Sequence, residues 1–135
     1  MKNLLLLLPL FLPITAFGGE LSAGSREEAA HLFAYLETSG CEFYRNGTWH
    51  KGDVAGAHLR QKYQYLLGSG LLSSTESFIE KAATKSSFGG KLYQVRCGAS
   101  GAVSSSSWLD AELARHRKRT ANRSLTHVAP DGARR

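Results

Sequence analysis

Apolar residues recur at helical spacing in four stretches of the chain, and the runs between them alternate or turn. Ala29, Leu32, Phe33 and Leu36 define one face of a first helix, expected over residues 26–38. A Ser25-x-x-Glu28 capping box would open it and Gly40 would stop it. Ala55, Leu59, Tyr63 and Leu66 share the inner face of a second helix, over 54–67, with Asp53 as its cap and Gly68-Ser69-Gly70 as its end. Phe78, Ile79, Ala82 and Ala83 give a third, after a Ser73-x-x-Glu76 box. Trp108, Leu109 and Leu113 mark a fourth that reaches about Arg117.

Two of the intervening runs have the period of a strand. Cys41, Phe43 and Arg45 alternate with Glu42 and Tyr44, and Asn46-Gly47 is a tight-turn signal, because both residues tolerate positive φ. Thr48-Trp49-His50 returns as a short second strand, and Leu92 to Cys97 forms another after the turn Ser86 to Lys91. The residues from Gly98 to Ser107 read as a loop and a helix cap. If the two cysteine-bearing strands run antiparallel with Cys41 facing Cys97, then Phe43 faces Val95 and Arg45 faces Tyr93. These side chains share the core face, so Arg45 points inward, where a cation–π contact with Tyr93 is expected. The fold class is therefore α+β: one small domain, about four helices on a short antiparallel sheet, with one disulfide.

Composition changes this picture at the two ends. The chain has 135 residues, a size usual for one domain. Residues 1–18 carry Lys2, an apolar run broken by Pro9 and Pro13, and small residues at Ala16 and Gly18. That is the plan of a secretory signal peptide, and the run is shorter than the roughly 18–20 residues a membrane span needs. The expected locale is outside the cytoplasm, either periplasmic or secreted, where Cys41 and Cys97 would pair. Neither cysteine has a second cysteine or a histidine at ligand spacing, so no metal site is expected.

The charge is uneven. Residues 20–115 hold ten basic and ten acidic side chains, whereas residues 116–135 hold six basic residues and Asp131. The net +6 therefore lies mostly in the two ends of the chain, and the expected domain of residues 19–117 carries only +1. Residues 118–135 have no sustained apolar period and read as a disordered basic tail. Such a tail in an exported protein meets anionic envelope components before it meets nucleic acid.

His58 and Lys62 fall inside the apolar arc of the second helix, where a lysine is unusual unless it snorkels or is paired. With Arg45 and the amides or hydroxyls of Ser86 and Ser87 they could line a pocket for a carboxylate or phosphate. The competing expectation, favoured by the rarity of unpaired buried charge, is a structural network in which Arg45 or Lys62 pairs with Glu76 or Glu28. His58 with Ser86 or Ser87 could serve as base and nucleophile, but no strained nucleophile turn, carboxylate pair or metal-ligand cluster accompanies them, so no catalytic residue and no cofactor is assigned. Trp49 and Tyr44, near the hairpin tip, either mark a partner surface or cover the edge of the core, with the second preferred. His31 falls opposite the inner face of its helix and reads as solvated.

The blocks F-x-R-N-G (Phe43 to Gly47), H-L-R-x-K (His58 to Lys62), E-x-F-I (Glu76 to Ile79) and S-S-x-x-G-K-x-Y-x-V (Ser86 to Val95) resemble the YfeK-like family of small exported bacterial proteins. The resemblance runs from about Ala29 to Arg115 and implies a periplasmic protein, but supplies no reaction, cofactor or site residue. The Cys41–Cys97 pair and the basic tail depart from the family pattern. The function expected is a non-enzymatic binding or interaction module, for an anionic envelope component or another periplasmic protein. A small envelope hydrolase or a purely structural accessory protein is the alternative.

Overall fold

The computed structural model describes residues 20–128. The signal-peptide expectation, and residues 129–135 of the expected tail, lie outside the described residues. The elements run α1 (Ala23–Thr38), β1 (Glu42–Arg45), β2 (Thr48–Lys51), α2 (Gly52–Gly68), α3 (Thr75–Ala82), β3 (Gln94–Arg96), β4 (Val103–Ser104) and α4 (Ser105–Val128). The four strands form one antiparallel sheet in the order β2-β1-β3-β4. The fold is α+β with four helices and one disulfide, as the apolar periods require.

The caps differ from expectation by small shifts within serine-rich runs. Ser22, not Ser25, accepts the amide that opens α1, and Ser74 with Ser77 closes the box at α3 in place of Ser73 with Glu76. Asp53 lies in the first turn of α2 and bonds to its neighbour's amide, while Lys51 at the cap position offers no side-chain acceptor. Asn46 and Gly47 both take positive φ, 48° and 88°, which closes the two-residue hairpin between β1 and β2.

The register across β1 and β3 pairs Glu42 with Arg96, Phe43 with Val95 and Tyr44 with Gln94. Cys41 and Cys97 lie just outside this ladder with Cα atoms 4.4 Å apart, and they are joined. A cross-link spanning 56 positions stabilises the fold by about 4 kcal/mol in the chain-entropy account. Phe78, Leu32, Leu72, Ile79, Leu109 and Val95 are fully buried between the sheet and the helices. The rings of Phe33, Tyr63 and Phe78 interlock at centroid distances of 5.0–5.4 Å.

Two glycines seat α2 on the end of α1. A Cβ at Gly52 would meet the backbone oxygen of Leu36 at 2.8 Å, whereas one at Gly56 would meet the Glu37 side chain. The first contact is with backbone that cannot yield. Only glycine lets the chain enter α2 at that height.

Two expectations fail. The stretch after Gly98 contains β4, whose two residues pair with Gln94 and Val95; a strand so short shows no alternation. More importantly, α4 does not stop near Arg117 but continues to Val128, so residues 118–128 are helical and not a disordered tail. Once a helix is formed, each further residue needs only propagation, and Arg, Lys, Ala and Leu propagate well without an inward face. Every residue from Arg117 to Val128 is exposed, which is why no apolar period marks this segment.

Candidate functional site

The hairpin and α2 bring three basic side chains together. Ala55, His58, Leu59 and Lys62 lie at helical spacing on the side of α2 that meets the sheet, and Arg45 ends the strand opposite. The Arg45 guanidinium donates from Nη1 to His58 Nδ1 over 2.8 Å. An arginine has no acceptor, so Nδ1 must be the unprotonated ring nitrogen and Nε2 carries the hydrogen. His58 Nε2 then donates to the Tyr93 hydroxyl at 3.3 Å. Lys62 Nζ donates to the same oxygen at 3.3 Å and to the Lys85 carbonyl at 3.1 Å. Tyr93 is buried.

The electrostatics agree with this assignment of protons. Burial first, and then the charges of Arg45, Lys62 and His50, hold the His58 imidazole below its ordinary 6.5. Burial and then Arg45 lower Lys62, and burial raises the Tyr93 phenol against the opposing influence of Arg45 and Ser86. His58 is therefore neutral, set between two cations.

These residues edge a cleft between the sheet and the first two turns of α2. Its walls are Leu36, Phe43, Val54, Ala55, Leu59 and Ala83, and Arg45, His50 and His58 stand among them. On the other side of His58 an open groove is bordered by Lys62, Gln61, Tyr65, Lys81 and Ser87. Of the residues singled out from sequence, Arg45, His58, Lys62 and Tyr93 form one bonded cluster. Ser86 is buried against it, with its Oγ accepting the Phe88 amide. Ser87 is exposed in the neighbouring groove.

Glu76 is not part of the cluster. It binds Arg117 of α4, and the same guanidinium takes Glu28 at 2.8 Å. The expected pairing of Arg45 or Lys62 with Glu28 or Glu76 is thereby replaced, and among the described residues no carboxylate pairs with Arg45, His58 or Lys62. The ring face of Tyr93 is covered by Lys62, 5.0 Å from its centroid, and not by Arg45. Arg45 is long enough to pass its cross-strand neighbour and reach the helix.

A second charged cluster was invisible in the apolar pattern. The Glu112 carboxylate is buried and accepts from His31, Arg115 and Arg119 at 2.7–2.8 Å. His31 stacks on His116 at 3.9 Å. The outer side of α1, which looked solvated, is the side that α4 covers. On the far face of the sheet, Tyr44 packs edge-on to Trp49, and Arg96 lies 3.9 Å over the Trp49 ring while forking onto Glu42. Neither aromatic covers the core.

A family model described as a family of unknown function, DUF5329, matches residues 23–117. The chain belongs to the DUF5329 family. No curated protein and no solved structure matches it. The DUF5329 segment begins with the first residue of α1 and ends at Arg117, the residue that grips Glu28 and Glu76, so it contains the cluster around Arg45 and, apart from Arg119, the one around Glu112. The helical residues that follow Arg117 lie outside it. Among the described residues no helix is long and apolar enough to cross a membrane, and no group of side chains could hold a metal ion.

Proposed function

We propose that the chain is an exported, non-enzymatic binding module whose site takes an anionic group at Arg45, with Lys62 adding positive potential and the neutral His58 orienting the guanidinium. The observation that carries this reading is the distribution of acids. Glu28, Glu76 and Glu112 are held by the arginines of α4, while the half-buried cations beside the cleft have donors but no carboxylate. Arg45 has five N–H groups and gives one of them to His58. Cations grouped in this way repel one another until an anion lies between them.

Export is part of the proposal. A disulfide and the absence of a membrane-spanning helix among the described residues are compatible with it, and the resemblance to the YfeK-like exported proteins supports the same compartment. A hydrolase would need His58 within reach of a serine. Both ring nitrogens are instead engaged, by Arg45 and by Tyr93, which argues against that alternative.

The test is thermal unfolding of the oxidised protein in acetate, phosphate, sulfate and chloride at equal ionic strength. The site predicts a rise in Tm over chloride with at least one of these oxyanions that is lost in Arg45→Ala. Equal stabilisation of both proteins by every salt would refute it.

A further inference from the structure

The chemistry of the cleft walls narrows the class of anion. We infer that the ligand is a short-chain monocarboxylate, with its carboxylate on the Arg45 guanidinium and a tail of roughly two carbons held between α2 and the sheet. This rests on the anion-binding reading and specifies it.

Phosphate and sulfate are polar on every side, and the interior of this cleft would leave most of their oxygens without partners. Leu36, Leu59 and Ala83 are buried at its inner end, and Phe43 closes it against the sheet. Arg45 is the one charged residue in the lining and stands where it meets His58, with His50, Tyr93, Gln94 and Ser105 as the other polar residues of the wall. An occupant must therefore be charged at one end and apolar at the other.

Size sets the length of the tail. The cleft encloses about 40 Å³, whereas an apolar cavity of roughly 150 Å³ holds a benzene ring. Acetate would leave part of the space empty, propionate would fill it, and a hexanoate chain would have to leave through the mouth. His58 constrains the head group as well. Its Nδ1 accepts from Arg45 and its Nε2 faces Tyr93, so at neutral pH the carboxylate is held by the remaining N–H groups of Arg45. Planar guanidinium and planar carboxylate match through two parallel hydrogen bonds, a fit that a tetrahedral anion does not need.

The experiment is a titration of the oxidised mature chain with formate, acetate, propionate, butyrate and hexanoate, and separately with inorganic phosphate. Ionic strength is held constant, and the readouts are Tm and the imidazole NMR signals of His58. Affinity should rise about fourfold for each added methylene from formate to propionate, then level off or fall by hexanoate. Arg45→Ala should abolish the whole series. Ala55→Leu, which fills the cleft without touching Arg45, should abolish the dependence on chain length while leaving any phosphate effect. An Arg45-dependent phosphate effect with a flat carboxylate series would overturn this inference and leave the anion site standing. Affinity that keeps rising through hexanoate would overturn the size limit and with it the short-chain assignment. No response to any anion beyond chloride would overturn both readings.

Discussion

Two clusters of charge sit on opposite sides of α1 and are built in opposite ways. At the α1–α4 seam one buried carboxylate, Glu112, receives three donors, and Arg117 bridges two more acids on two elements. Glu28, Glu76 and Glu112 each have an arginine there, and the cluster ties helices together. Beside the cleft, Arg45 and Lys62 flank a neutral histidine and a phenol, and among the described residues no carboxylate pairs with either cation. The first arrangement is satisfied within the chain, whereas the second has surplus donors and positive potential. Charge that is balanced internally is evidence about folding. Charge left unbalanced beside a concavity is evidence about what the molecule meets.

The sharpest way to break this contrast is at Glu112. Glu112→Ala leaves two arginines and the His31 donor around a vacated buried position, and we expect a loss on the order of 3 kcal/mol in urea unfolding. A change within about 0.5 kcal/mol, the range of an ordinary surface substitution, would mean that the seam is not structural.

Acid should separate the clusters by pH. Burial alone would raise the Glu112 carboxyl, but hydrogen bonds from His31, Arg119 and Arg115 more than offset it and hold the group at about 2. Its contribution is complete above the unfolded value of 4.5 and is lost as pH falls toward about 2. His58 is also lowered, so its contribution is complete above 6.5 and is lost as pH falls through the folded value. Stability measured against pH should therefore show a first loss as pH falls below 6.5, reduced in His58→Asn with the remainder from His116, which burial also lowers, and a second in the carboxylate range, absent in Glu112→Gln.

Gly52 tests the scaffold beneath the cleft. Gly52→Ala places a methyl against the Leu36 carbonyl and should cost about 1–3 kcal/mol. Gly56→Ala meets only the movable end of Glu37, displaces it from Arg60, and should be within about 1 kcal/mol of neutral because alanine favours the helix. Equal effects at the two positions would show that α2 is not seated on that backbone contact.

The smallest effects should fall at the cleft and at the end of α4. Arg45→Ala should change stability by no more than about 0.5 kcal/mol, on the stabilising side, because it relieves repulsion. A chain ending after Arg119 keeps the Glu112 contacts and should unfold within about 0.5 kcal/mol of the full chain, since the residues removed from 120 to 128 are all exposed. A large loss from either would erase the distinction between the clusters.

What could be read in the sequence was what depends on period. Phe43 opposite Val95 followed from alternation plus one assumed cysteine pair, since a slip of one residue would turn every side chain to the other face. The four helices followed from apolar recurrence. The partners of long side chains did not follow, because Arg45, Lys62 and Arg117 each reach past their nearest neighbour to a different element. Glu76 was matched to the wrong cation because its true partner lies at the edge of a segment taken for a tail. His31 looked solvated because a single helix face says nothing about a second helix laid over the other side. Serine-rich runs offered several candidate caps, and only the three-dimensional path of the backbone chose among them.

The cross-link between Cys41 and Cys97 has a topological consequence. Arg45, His58, Lys62, Ser86 and Tyr93 all lie between these two positions, and so does the protruding turn that carries Phe88, Gly89 and Gly90. Cutting the backbone once at that turn opens the chain without releasing a fragment. The two pieces stay tethered, migrate as one species until reductant is added, and keep every side chain of the cleft on a single covalent object.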